Sequence, residues 1–127
     1  MKKTVCFLLL ICLLTLTGCN AVSMTLVDTD LDAKVKQMFT AMATGDQATQ
    51  QELFRSDATY QEGVTVEGEI KDSQPLSRNV EIKNSITQKD ARYQIETTDG
   101  TKYVILVRYI IDETEEGFYQ YTVAKKQ

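Results

Sequence analysis

The sequence predicts an α+β fold in which an N-terminal helix and a short second helix pack on a curved antiparallel sheet of four to five strands. Three observations carry this. Apolar residues recur at helical spacing from Leu31 to Met42, the period changes from 3.6 to 2 beyond Thr59, and Thr98-Asp99-Gly100-Thr101 places a hairpin signal between two apolar runs. A helix with one apolar stripe and a sheet with one apolar face are buried most economically against each other.

The N-terminus reads as an export segment, so the chain divides into residues 1–18, a tether 19–29 and a domain 30–127. Lys2 and Lys3 form a basic n-region, Val5 to Leu16 is almost unbroken apolar sequence, and Thr17 and Gly18 are small. The apolar run is shorter than the roughly 20 residues a membrane-spanning helix needs. Leu16-Thr17-Gly18-Cys19 resembles the bacterial lipobox. That resemblance implies a diacylglyceryl thioether on Cys19, cleavage before it, and acylation of the new amino terminus in many species. The alternative is a simple secretory signal with a chance cysteine. Cys6 and Cys12 lie in the removed segment, so no disulfide forms within a mature chain whose only cysteine is Cys19. Two or three acyl chains hold a soluble domain stably on a bilayer.

Asn20 to Asp28 lacks clear periodicity and serves as the tether. Asp30 is placed to cap a helix with Leu31, Val35, Met38, Phe39 and Met42 on one face, and Gly45 to end it in a left-handed turn. Asp46 then starts a shorter helix carrying Ala48, Leu53 and Phe54. A first strand holds Val64, Val66 and Ile70, weakened by Gly63 and Gly68, and Lys71 to Ser77 is assigned as a loop because it contains Pro75. A second strand places Val80, Ile82 and Ile86 on one half-buried face, followed by a turn near Gln88 to Ala91. Tyr93, Ile95 and Thr97 lie in phase in the next strand. Tyr103 to Ile111 is apolar nearly throughout, which predicts a central strand covered on both faces; Asp112 to Gly117 is an acidic turn before the last strand, with Phe118, Tyr119, Tyr121 and Val123.

The charge balance narrows the partners. Of 14 basic residues, Lys2 and Lys3 are removed, leaving 12 against 18 acidic ones, so the net charge moves from −4 to −6. An acidic, interspersed surface argues against nucleic acid and against a polybasic membrane patch, leaving the lipid on Cys19 as the membrane contact. There is no histidine, no mature thiol beyond Cys19 and no glycine-rich phosphate loop. Ser-His and Cys-His catalysis and an ordinary zinc site are therefore excluded, and no cofactor is expected.

The remaining candidates each have a plain reading beside the chemical one. The order of elements resembles NTF2-like proteins, some of which are enzymes that place Asp, Tyr or His in the cone formed by sheet and helix, and that resemblance makes Tyr60, Tyr93, Tyr103 and Asp57 candidates. Yet strand tyrosines more often pack with the hydroxyl at the surface, and Asp57 fits a turn or helix end. Asp112, Glu113, Glu115 and Glu116 lack calcium-loop spacing and suit a solvated hairpin tip. Arg108 either faces a cavity or anion, or pairs with a carboxylate on a neighbouring strand; the second is favoured. No catalytic residue is assigned, and the chain is expected not to be an enzyme.

The order of elements and the Gly45-Asp46 break resemble the cystatin-like and NTF2-like group of α+β folds. With the lipobox at Leu16 to Cys19, the mature length and the tyrosine-rich terminal strands, the chain is more specifically similar to the short cystatin-like lipoproteins of Gram-positive integrative and conjugative elements. This implies a lipid-anchored protein on the extracytoplasmic face of the cell membrane. It also implies entry exclusion, in which contact with a membrane protein of the donor's conjugation machinery blocks redundant transfer. Lack of disulfides and the family likeness lean toward a Gram-positive plasma membrane, while Asn20 after the cysteine would permit outer-membrane sorting in a Gram-negative host. The alternatives are a small-ligand-binding or enzymatic NTF2-like domain, and an inhibitor or assembly factor of an envelope machine; fold analogy alone does not choose among them.

Overall fold

A computed structural model describes residues 27–58 and 65–126. Two helices, α1 (Thr29–Thr44) and α2 (Gln47–Leu53), precede four strands: β1 (Ile70–Lys83), β2 (Ile86–Thr97), β3 (Lys102–Ile111) and β4 (Glu116–Lys125). The strands form one antiparallel meander in the order β1-β2-β3-β4, with both helices packed against it. The signal segment, Cys19, most of the tether, Tyr60, Gly63 and Val64 lie outside the described residues. Among the described residues no helix is long and apolar enough to cross a membrane.

Asp28, rather than Asp30, caps α1, its carboxylate accepting the Leu31 N–H at 3.0 Å while Asp30 sits in the first turn. At the other end Gly45 takes the left-handed conformation (φ 71°), which a Cβ would disfavour. The N–H groups of Gly45 and Asp46 reach back to the carbonyls of Met42 and Ala41 at 3.4 and 2.8 Å. Asp46 at once begins α2, accepting the Thr49 N–H. This two-residue junction closes one helix and opens the next, as the sequence implies.

Between helix and sheet the core is continuous. Leu31, Val35, Met38 and Phe39 meet Tyr93, Ile95, Tyr103, Ile105, Val107, Tyr109, Phe118, Tyr121 and Val123. Phe39 packs edge-on to Tyr103, and Phe118 edge-on to both Tyr109 and Tyr121. Phe118 and Tyr121 are three apart yet both point inward, because Tyr109 pairs with Phe118 while Arg108 pairs with Gln120. Tyr119 is thus the extra residue of a bulge that resets the alternation.

Several strand assignments require correction. Residues 65–69 are not strand: Gly68 turns the chain at φ 93° against the Thr97 side chain, leaving Val66 buried before β1 begins. Lys71 to Ser77 is not a loop but part of β1. Pro75 is accommodated because β1 is an edge strand and Leu76 bulges out just after it, between the pairs Pro75/Tyr93 and Ser77/Arg92. Gln88 to Ala91 is not a turn either; the turn is Asn84-Ser85, both at positive φ (52° and 64°), joining β1 to β2. Because Lys83 pairs with Ile86 and Ile82 with Thr87, Ile82 and Ile86 lie on opposite faces, and Val80, Ile82 and Ile86 are all exposed.

β3 is interior to the sheet but covered on one face only. Tyr103, Ile105, Val107 and Tyr109 face α1, while Val104, Leu106, Arg108 and Ile110 face away, and no described element lies over them. Leu106 is 48% exposed. The near-continuous apolar run therefore belongs to a strand with one open face, not to a two-sided core strand.

Candidate functional site

Two polar clusters stand out against the filled core. The first lies where the start of α1 meets β1 and β2, around a surface groove of about 360 Å³ lined by Val27, Asp28, Leu31, Arg78, Val80 and Lys89 among others. Asp32 occupies the apolar face of α1, three residues before Val35 and seven before Phe39. Its carboxylate accepts the Tyr93 hydroxyl at 2.6 Å and the Arg78 guanidinium at 2.6 and 2.7 Å. Lys89, on the next strand position toward the hairpin, reaches Asp28 at 2.7 Å.

The electrostatics of this groove follow from that pairing. Burial acts to raise the Asp28 carboxyl, but the Lys89 ammonium and the Leu31 N–H outweigh it and hold the group below its ordinary range. Burial and the neighbouring Asp32 carboxylate push the Tyr93 phenol upward, against the opposing pull of Arg78. Tyr93 is thus a hydrogen-bond donor that keeps its proton, not a base. These contacts pin the helix start to the sheet.

The second cluster centres on Arg55, which is buried at the end of α2. Its guanidinium meets Asp57 at 2.9 Å and Asp112 at 2.7 Å, and donates to the carbonyls of Ile110 and Glu115 at 3.4 and 3.1 Å. Ser56 adds a hydroxyl bond to Glu115 at 2.7 Å. Asp112 also accepts the N–H groups of Thr114 and Glu115 at 2.8 and 2.9 Å, so backbone donors together with Arg55 hold its carboxyl far below the usual range. Asp112 and Glu115 are therefore folded onto a cation rather than solvated as a free tip, while Glu113, Thr114 and Glu116 are exposed.

The predicted candidates separate accordingly. Tyr93 and Tyr103 both point inward, but their hydroxyls do not reach the surface as packing tyrosines usually do; the Tyr103 hydroxyl accepts the Glu67 N–H at 3.3 Å, and Tyr121 donates to the Val35 carbonyl at 2.9 Å. Tyr109, which sequence reasoning passed over, donates to Glu116 at 2.8 Å and lies under the Lys34 ammonium. Asp57, Asp112 and Glu115 converge on Arg55. Arg108 pairs across the strands with Asp90 at 2.9 Å on the open sheet face, the plainer of its two readings. Tyr60 is outside the described residues.

Asp32, Arg78, Lys89 and Arg55 were not singled out from sequence. Asp32 carried a visible signal, a carboxylate on an otherwise apolar helical stripe; Arg55 carried little beyond standing directly after Leu53-Phe54. In both clusters the carboxylates are taken up by guanidinium, ammonium, hydroxyl and backbone donors, which fixes their geometry. Among the described residues no group of three or more acidic or cysteine side chains is arranged to hold a metal ion. Set beside known proteins, the chain matches no protein-family model, no curated protein and no solved structure.

Proposed function

We propose that the protein is a lipid-anchored exclusion factor: tethered through Cys19 outside the cytoplasm, it binds a membrane protein of an incoming donor's conjugation machinery and blocks redundant transfer. The same proposal places the domain in the cystatin-like group of the NTF2-like folds, on the order of two helices followed by an antiparallel meander. The observation that carries the functional reading is the lipobox Leu16 to Cys19 set ahead of a domain with a filled interior. Where a ligand-binding cone would hold an open cavity, Val35, Met38 and Phe39 of α1 are packed against Tyr93 and Ile105 of the sheet. Recognition then falls to the outer surface, including the open face of β3. Tethering supports the same reading, since a factor held at one membrane acts at a high local concentration without needing chemistry.

The test is genetic. Deleting the gene from recipients that already carry the element raises their acquisition of a second copy, and acquisition that stays unchanged overturns the proposal.

A further inference from the structure

Three exposed apolar side chains lie within one seven-residue stretch of the β1–β2 hairpin: Val80 (44% exposed), Ile82 (73%) and Ile86 (44%). Single exposed apolar residues are ordinary, whereas a cluster on one projection calls for a partner. Val80 and Ile82 share the face that bears α1, and Ile86 lies on the other beside Lys83, so the projection carries exposed apolar residues on both sides. Such a hairpin end does not match a one-sided docking face.

The hairpin also has a defined position relative to the proposed anchor. Val80 and Lys89 line the groove beside Val27 and Asp28, and the Lys89–Asp28 ion pair ties the base of the hairpin to the start of α1. Val27, itself 67% exposed, is eight residues beyond Cys19. Fully extended, eight residues span at most about 29 Å. The end of the domain that carries the exposed apolar hairpin is therefore the end the lipid holds near the bilayer.

We infer that the β1–β2 hairpin, through Val80, Ile82 and Ile86, enters the lipid surface and sets the orientation of the anchored domain. The inference rests on the reading of Cys19 as lipidated. It supplements the lipid with a protein contact to the membrane that composition alone did not suggest. The contact is apolar rather than electrostatic, because the acidic turn Asp112 to Glu115 lies at the same end of the sheet: Ile111 pairs with Thr87, one residue from Ile86. A zwitterionic surface suffices, and an anionic one is not required. In this orientation the Thr98 to Thr101 hairpin and the Gly45-Asp46 junction lie toward the outside.

The experiment uses the full chain, processed in its host and reconstituted into phosphatidylcholine vesicles that contain nitroxide-labelled lipid. Lys83→Cys at the hairpin and, separately, Thr98→Cys at the opposite end are labelled with an environment-sensitive fluorophore, the thioether on Cys19 leaving each introduced thiol unique. The label at 83 is quenched several-fold more than the label at 98 and its emission shifts to the blue; adding Ile82→Ser and Ile86→Ser removes both effects. An acylated, vesicle-bound protein whose label at 83 is as water-exposed as that at 98 overturns the contact and leaves the anchor standing. An intact mass showing no acyl groups on Cys19 overturns the anchor reading, and the contact with it.

Discussion

Arg55 holds together three parts of the chain that are distant in sequence: the end of α2, Asp57 just beyond it, and the β3–β4 turn through Asp112 and two carbonyls. Removing a buried cation leaves those acceptors without their donor, a loss of about 2 kcal/mol for groups that are partly exposed. Arg55→Met is expected to lower the midpoint of urea unfolding accordingly, and an unchanged midpoint would show the cluster to be incidental. The same cluster shapes the response to acid. Arg55 holds Asp57 low; backbone donors and Arg55 hold Asp112 lower still; the Thr97 hydroxyl and the Thr101 N–H bring Asp99 down to about 2. Each of these carboxyls binds a proton less readily folded than unfolded. Their stabilisation is complete above the unfolded value of about 4 and is lost as pH falls through the folded values. Tyr93, Tyr109 and Tyr121, raised chiefly by burial, act in the opposite direction, their stabilisation being lost as pH rises beyond about 10. With no histidine in the chain, thermal melts should be flat from about pH 5 to 9 and decline at more acid and more alkaline pH. A step between pH 6 and 7 would contradict this assignment.

At the scale of elements, Gly117 is where the packing of α2 on β4 is tightest. A Cβ there would stand 2.8 Å from the Leu53 carbonyl oxygen and 2.9 Å from the Arg55 nitrogen, both backbone atoms, because Phe54 bridges to Phe118 beside it. Gly117→Ala must push the two segments apart and is expected to cost about 2 kcal/mol, within the range for overpacking a close contact. Gly45→Ala, in open space but at positive φ, should cost about 1 kcal/mol through backbone strain alone. Equal melting temperatures for the two variants would contradict the distinction. The helices were legible in the sequence because their signals are local: Gly45 and Asp46 stop and start a helix through their own backbone and side-chain atoms. The strands were less so. Pro75 reads as a loop residue unless it is known to lie on an edge, and edge position depends on the whole sheet. Asn84-Ser85 escaped notice because a two-residue turn preserves the even spacing of Ile82 and Ile86 while reversing their faces, so a hairpin with exposed apolar residues looks like one half-buried strand. The Tyr103 to Ile111 run has the same ambiguity, since apolar residues at every position do not reveal whether the second face is covered.

For the whole molecule, α1 and the sheet close on each other through the fully buried Val35, Met38, Phe39, Tyr93 and Ile105, and carboxylates at the margin of this core are held by Arg55 and Arg78. What remains available is surface: the open face of β3, the apolar β1–β2 hairpin and the far end of the sheet. None of these surfaces was legible as a site in the sequence, because each depends on which face of a strand remains uncovered. On the proposed reading, anchoring through Cys19 gives such a surface a place to act. Cys19→Ala is expected to shift the protein from the membrane fraction to the medium or to an unprocessed form, while the domain keeps its fold by circular dichroism; retention in the membrane would identify the apolar segment as an uncleaved anchor. The central claim is tested most directly by expressing the chain in recipients that lack the element and measuring how often they acquire it by conjugation. Acquisition should fall sharply with the wild-type protein and return to the control level with Cys19→Ala; an unchanged frequency with the wild-type protein present at the cell surface would contradict exclusion.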